Sequence, residues 1–200
     1  MKFVGMFVDK NLSWNEQVKN VINKVGKSTY IMNATKRLLP INLKLTLYYS
    51  MIYCYLNYGS VLWGHTFQYN KTKLLKLQKK AVRSIKNTSY CEHTDPLFQD
   101  LQILKFEDIV KSETLKLMYK LVNDDLPTEI SNKFQLNRDI HNYNTRHNND
   151  VHIAPTKTSK AFKSILHQGP ELWSNLNNDI KVSTSLQSFK SNLKKYLVNY

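Results

Sequence analysis

The sequence predicts a mainly α protein: a helical bundle after one short N-terminal β-strand, followed by a smaller α-rich C-terminal module. Glycine and proline are scarce, with five of each in 200 residues, which suits helices joined by short connections. Apolar residues recur at helical spacing in several segments, most clearly over residues 72–86 and 185–200. The apolar fraction of 42% is large enough to supply a hydrophobic core.

The first two elements are a strand and a long helix. Residues 2–8 are rich in Phe and Val and run into a turn-like Asp-Lys-Asn cluster, which predicts a strand. Ser13 and Glu16 have the spacing of a capping box, so a helix is expected to begin there. Since the residue before a proline avoids helical geometry, this helix should end at about Leu39, before Pro40.

The next three helices are predicted from apolar spacing. A very apolar helix starts near Asn42, with Leu45, Leu47, Tyr48, Met51, Ile52, Tyr55 and Leu56 along it. Over residues 72–86 one stripe at a 3.6-residue period contains Leu74, Leu77, Gln78, Ala81 and Ile85. A further helix is expected over residues 106–122. Four segments follow from these elements: residues 1–12 as a strand, 13–123 as the helical bundle, 124–142 as a polar linker and 143–200 as the C-terminal module.

The C-terminal module should contain short helices. Residues 151–154 suit a strand or an extended segment that ends at Pro155. Short helices are expected over residues 159–166 and 170–176, with Pro170 at the first position of the second. An amphipathic helix over residues 185–200 closes the chain, with one face formed by Leu186, Phe189, Leu193, Leu197 and Tyr200.

The chain is strongly basic, with 29 Lys and Arg against 15 Asp and Glu and a formal net charge of +14. Such an excess favours association with polyanions, above all nucleic acid. An alternative is a lysine-rich surface that reflects the codon usage of an AT-rich genome. Composition alone does not separate these two explanations.

One predicted helix concentrates the positive charge. Opposite its apolar stripe, the 72–86 segment has six cations and no acid: Lys73, Lys76, Lys79, Lys80, Arg83 and Lys86. Cations repeated along a helix can contact successive phosphates of a nucleic acid. The alternative is that these side chains only solvate the outer face of a core helix, as most lysines do.

No independent catalytic centre is expected. Cys54 and Cys91 are too few for a zinc knuckle or a disulfide-rich secreted domain. The Asp124-Asp125 pair precedes Pro127 at the predicted end of a helix, where it suits a solvated turn better than a magnesium site. A secretory signal and a run of about 18 apolar residues are both lacking, so we expect no membrane span and an intracellular protein, nuclear or cytoplasmic.

Three segments resemble one family. Residues 4–14 (VGMFVDKNLSW) are similar to the segment that follows the polymerase palm in reverse transcriptases of non-LTR retrotransposons of the jockey and CR1 type. Residues 58–64 (YGSVLWG) resemble the family's Y-x-S-x-x-WG motif. The third resemblance comprises residues 143–146 (YNTR), 151–155 (VHIAP) and 169–173 (GPELW).

The resemblance implies a parent RNA-directed DNA polymerase that uses magnesium, of which this chain would be the thumb and the region beyond it. The family's catalytic Asp pair lies upstream of the resembling segments, so no cofactor and no activity alone are expected here. The implied partners are RNA or an RNA/DNA duplex and the missing palm. Tyr143 and Arg146 form a second candidate nucleic-acid contact, because an aromatic can stack on a base while Arg binds a phosphate; local bonding that fixes a loop is the alternative.

Two other functions remain open from the sequence. The chain could be a remnant translated from a 5′-truncated element copy, without selected activity. It could also be a recruited module that binds another protein through its apolar helices.

Overall fold

The computed structural model describes residues 1–140 and 150–199, and the mainly α class is confirmed. The chain divides into two compact units, one of residues 1–110 with the last residues from Val198, the other of residues 111–197. The division into segments at residues 12, 123 and 142 stays a prediction.

The N-terminus is a hairpin rather than the single strand expected over residues 2–8. Strands β1 (Lys2–Phe3) and β2 (Met6–Phe7) pair antiparallel, with Lys2 opposite Phe7 and Phe3 opposite Met6. The chain reverses at Val4 and Gly5, whose φ angles of 45° and 77° lie in the left-handed region. Glycine adopts that region without strain, which explains why the run breaks there. The β-prone composition therefore agrees with strand structure, but the prediction of one uninterrupted strand is wrong.

Helix α1 (Asn15–Ala34) does not begin with the predicted capping box. The Asp9 carboxylate instead fixes the turn before the helix, because it accepts hydrogen bonds from the Ser13 hydroxyl (2.8 Å) and from the Ser13 and Trp14 backbone N–H groups (both 3.0 Å). The helix buries Val18, Val21, Val25 and Met32. It ends five residues before Leu39, and the chain reaches Pro40 through turns.

The second apolar segment is a helix with a widened middle. Helix α2 (Ile41–Tyr48) continues as a π-helical segment (Tyr49–Tyr53) into α3 (Cys54–Asn57), and α4 (Ser60–Trp63) follows. The buried side chains recur every fourth residue: Lys44, Tyr48, Ile52 and Leu56. A π-helical turn holds more than four residues, which is consistent with this wider spacing.

Helix α5 (Gln68–Lys86) lies against this segment and α1. Helices α6 (Asp95–Asp100) and α7 (Phe106–Val122) follow. Gln78 of α5, fully buried, donates from Nε2 to the Tyr48 hydroxyl and to the Leu104 carbonyl, both at 2.7 Å. Its Oε1 accepts from the Phe106 N–H at 2.9 Å. One amide therefore joins three segments of the first unit and fixes the rotation of α5.

The second unit has its own aromatic core. Tyr119 and Phe189 stack with ring centroids 4.4 Å apart, and the Tyr119 hydroxyl donates to the Ser183 carbonyl at 2.8 Å. Trp173 packs beside Phe189 at 6.1 Å. The helices after α7 are α8 (Thr128–Ser131), α9 (Asn137–Ile140), α10 (Ser159–Phe162), α11 (Ile165–Ser174), α12 (Asn178–Lys181) and α13 (Leu186–Asn199).

Two helix boundaries in this unit differ from expectation. The helix predicted over residues 159–166 ends at Phe162, because Ser164 starts α11 by accepting from the Leu166 N–H. Pro170 lies inside α11 rather than at its first position. Val151, in the segment predicted to be extended, is buried and forms an isolated antiparallel bridge with Leu136.

The first unit should lose stability in mild acid through His65. Burial, with a smaller contribution from the nearby Lys71 cation, lowers the pKa of this histidine to about 4. A histidine in the unfolded chain has a pKa of about 6.5. As the pH falls below that value, His65 binds a proton in the unfolded state but stays neutral in the folded state, so the folded state loses stability. At pH 5 this difference removes about 2 kcal/mol of unfolding free energy relative to neutral pH.

The measurement is the urea midpoint at neutral pH and near pH 5 for the native chain and for His65→Gln. We expect the variant to lose the histidine-dependent part of the pH slope, so its two midpoints lie closer together. His93→Gln is the matched control, because the His93 side chain is 79% exposed. Equal pH slopes for the native chain and His65→Gln would contradict this assignment.

Candidate nucleic-acid interface

Helix α5 separates an apolar face from a basic face, as its spacing predicts. Leu74, Gln78, Ala81 and Ile85 are buried, with exposed fractions of 1% or less. Leu77, which the stripe also included, is only partly buried. The helix begins four residues earlier than the predicted residue 72. All six predicted cations therefore lie on one continuous helix with a defined rotation.

The six cations are not equally accessible. Lys73, Lys76 and Lys80 are exposed, whereas Lys79, Arg83 and Lys86 are partly buried. At 1.5 Å per residue, the interval from Lys73 to Arg83 covers roughly 15 Å of helix axis.

Helix α6 brings acids close to some of these six cations, which the pattern along α5 did not predict. Lys86 forms a salt bridge with Asp100. Asp95 pairs with Lys105 at 2.9 Å, and the pKa of Asp95 is lowered by that hydrogen bond, with smaller effects from the charges of Lys105 and Lys79. Lys86 and Lys79 thus have acidic neighbours and offer less free charge to a phosphate.

Three other cations of α5 keep their charge. Among residues 1–140 and 150–199, no acidic side chain lies within salt-bridge distance of Lys73, Lys76 or Lys80. Lys73 lies over the Tyr69 ring, 5.2 Å from its centroid. A contact with an aromatic ring does not neutralise the ammonium charge, so Lys73 remains available to an anion.

Arg83 is held in place by neutral groups. Its Nε and Nη2 atoms donate to the Glu92 backbone carbonyl at 3.0 and 2.7 Å. Its guanidinium carbon lies 5.6 Å from the centroid of the Tyr90 ring. A guanidinium has five N–H donors, so three remain for a ligand after these two bonds. The arrangement fixes Arg83 without neutralising it.

Lys44 is a structural cation that the sequence reasoning missed. Its buried Nζ donates to the Ile85 carbonyl at 3.2 Å and to Asn87 Oδ1 at 2.9 Å, at the C-terminal end of α5. Burial lowers the pKa of Lys44, while the helix end favours a cation. The sequence contains a signal of this role, because Lys44 lies four residues before Tyr48, in register with the buried side chains of α2 and the segment after it.

Tyr143 and Arg146, the second candidate contact, lie outside the residues that the structure describes.

Asp124 and Asp125 are exposed at the end of α7, with Asp124 in a left-handed conformation and the Asp125 N–H bonded to the Lys120 carbonyl at 2.8 Å. The predicted helix-terminus turn is therefore confirmed.

In the described ranges, no three His, Cys, Asp or Glu side chains come together as a metal site would require. Within the same ranges, no helix has both the length and the apolar character needed to cross a bilayer.

One known protein is similar in sequence. Over 124 residues the chain is 24% identical to the RNA-directed DNA polymerase from mobile element jockey of Drosophila melanogaster. The likeness covers 60% of this chain and 13% of that polymerase. It supports a reverse-transcriptase-like relationship. No protein-family model matches the chain, and no solved structure matches it.

Proposed function

We propose that this chain is the post-palm, thumb-containing region of a non-LTR retrotransposon reverse transcriptase, without the catalytic Asp residues, and that it binds an RNA/DNA duplex. The observation that carries the proposal is the row of unneutralised cations on α5: Lys73, Lys76, Lys80 and Arg83. The likeness to the jockey polymerase supports a reverse-transcriptase-like origin of the chain. We propose in addition the region of the polymerase, the type of retrotransposon and the binding of nucleic acid.

The size of the row suits a nucleic-acid backbone. Neighbouring phosphates of one duplex strand lie only a few ångströms apart along the axis, so roughly 15 Å of helix faces several phosphates. Each of the four cations can therefore reach a phosphate. Because phosphates carry no sequence information, the contact should depend on the shape of the duplex rather than on its bases.

The test is fluorescence anisotropy with short blunt RNA/DNA hybrids of two unrelated sequences at low salt. We expect both hybrids to bind with the same affinity within about threefold, because one good base contact would already discriminate by about 1–3 kcal/mol. A large preference for one sequence would contradict backbone recognition. Absence of binding at low salt would favour the inactive remnant. A self-assembly that persists in high salt without nucleic acid would favour the protein-interaction module.

A further inference from the structure

A groove of about 380 Å³ opens between α1 and α5 beside Arg83. Its basic side chains are Lys36, Lys80 and Arg83, and none of its lining residues is acidic. The volume falls at the small end of the roughly 300–1,000 Å³ that ligand pockets occupy, a size that suits a single nucleotide. Three cations converging without an acid favour an anion inside the groove.

Two tyrosines stand at the groove with their rings in solvent. Tyr30 is 75% exposed and Tyr90 is 74% exposed. Exposed aromatic rings beside cations are the combination that binds unpaired nucleotides, because the ring stacks on the base while the cation holds the phosphate. Tyr90 already lies against Arg83, so that ring and that charge are presented together.

We propose that this groove binds one unpaired nucleotide at the end of a duplex: Lys36, Lys80 and Arg83 hold its phosphate, and Tyr30 or Tyr90 stacks on its base. The proposal extends the duplex binding proposed above. Lys80 and Arg83 belong to both the α5 row and the groove, which places a duplex end at the groove when its backbone follows the row.

Gly26 offers a test that leaves every charge in place. It lines the groove, and a Cβ built there meets no atom within 4 Å. Gly26→Leu therefore adds a bulky side chain to the groove, whereas Gly26→Ala adds only a methyl group. Both substitutions improve helix propensity at a position inside α1, so neither should prevent folding.

The experiment compares a blunt RNA/DNA hybrid with the same hybrid extended by a few unpaired nucleotides, using fluorescence anisotropy. We expect the native chain and Gly26→Ala to prefer the extended hybrid about tenfold, which is within the range for stacking one base. Gly26→Leu should abolish that preference, so that the two hybrids bind equally, and should leave the affinity for the blunt hybrid unchanged. At least one of Tyr30→Ser and Tyr90→Ser should weaken the preference in the same direction.

Three other outcomes would contradict the groove, its location or the duplex binding. Equal affinity of the native chain for the two hybrids overturns the groove proposal while leaving duplex binding intact. A preference that survives in Gly26→Leu overturns the groove as its location. Binding of the extended hybrid alone, lost in Gly26→Leu, upholds the groove and contradicts the duplex-binding function.

Discussion

Replacing Lys76, Lys80 and Arg83 together by glutamate is expected to abolish most of the affinity for an RNA/DNA hybrid. Each phosphate contact releases counterions, and loss of three contacts near 0.1 M salt corresponds to a decrease of roughly 100-fold or more in the association constant. The three introduced carboxylates add repulsion from the phosphates. These positions are exposed or partly exposed on α5, so the fold should persist. Anisotropy titration of the hybrid measures the effect.

The matched control reverses the same amount of charge elsewhere. Lys190, Lys194 and Lys195 are exposed on α13 in the second unit. Their replacement by glutamate changes the net charge equally but leaves the α5 row intact. We expect this control to lose less than about tenfold in affinity, because only long-range attraction is weakened. Equal losses in the two triple variants would show that total charge, rather than α5, governs binding.

Gln78→Met is expected to be strongly destabilising. It keeps the approximate volume of the side chain but removes all three hydrogen bonds at this buried position. The Leu104 carbonyl, the Phe106 N–H and the Tyr48 hydroxyl would be left without this partner, at about 1–3 kcal/mol for each unsatisfied group. We expect a loss of about 3 kcal/mol or more, which lowers Tm by roughly 6–12 °C in a chain of this size.

Thermal unfolding followed by far-ultraviolet circular dichroism measures this loss. Gln68→Met is the matched control, because Gln68 is exposed on the same helix and donates only to the Glu107 carboxylate at 3.0 Å. Its Tm should change by less than about 2 °C, as expected for a surface substitution. A Gln78→Met protein as stable as the control would contradict the role of Gln78 in fixing α5.

The sequence predicted the features that depend on local periodicity. The apolar stripe and the cations of α5 follow from positions along one helix, and the structure places Leu74, Gln78 and Ala81 in the core. Both faces are properties of a single segment, so no knowledge of its neighbours was needed. The mainly α class was predictable for the same reason.

Several failures depend on contacts between segments or on a turn inside one. The Asp9 carboxylate bonds Ser13 and Trp14 in the turn before α1, where the capping box was predicted, and Gly5 turns the first strand into a hairpin. Acids of α6 reach the α5 cations only through folding, as the Lys86–Asp100 pair shows. The groove combines residues from α1, α5 and the following loop. Their separation in sequence hides that proximity from any pattern along one helix.

The most direct test of duplex binding through α5 is the salt dependence of the affinity. For the native chain and a short RNA/DNA hybrid, we expect log K to fall against log salt with a slope of roughly −3 to −5. Replacing Lys76, Lys80 and Arg83 by alanine should make that slope shallower by about 2 to 3, while alanine at Lys190, Lys194 and Lys195 should leave it unchanged. An unchanged slope in the α5 variant would contradict the account.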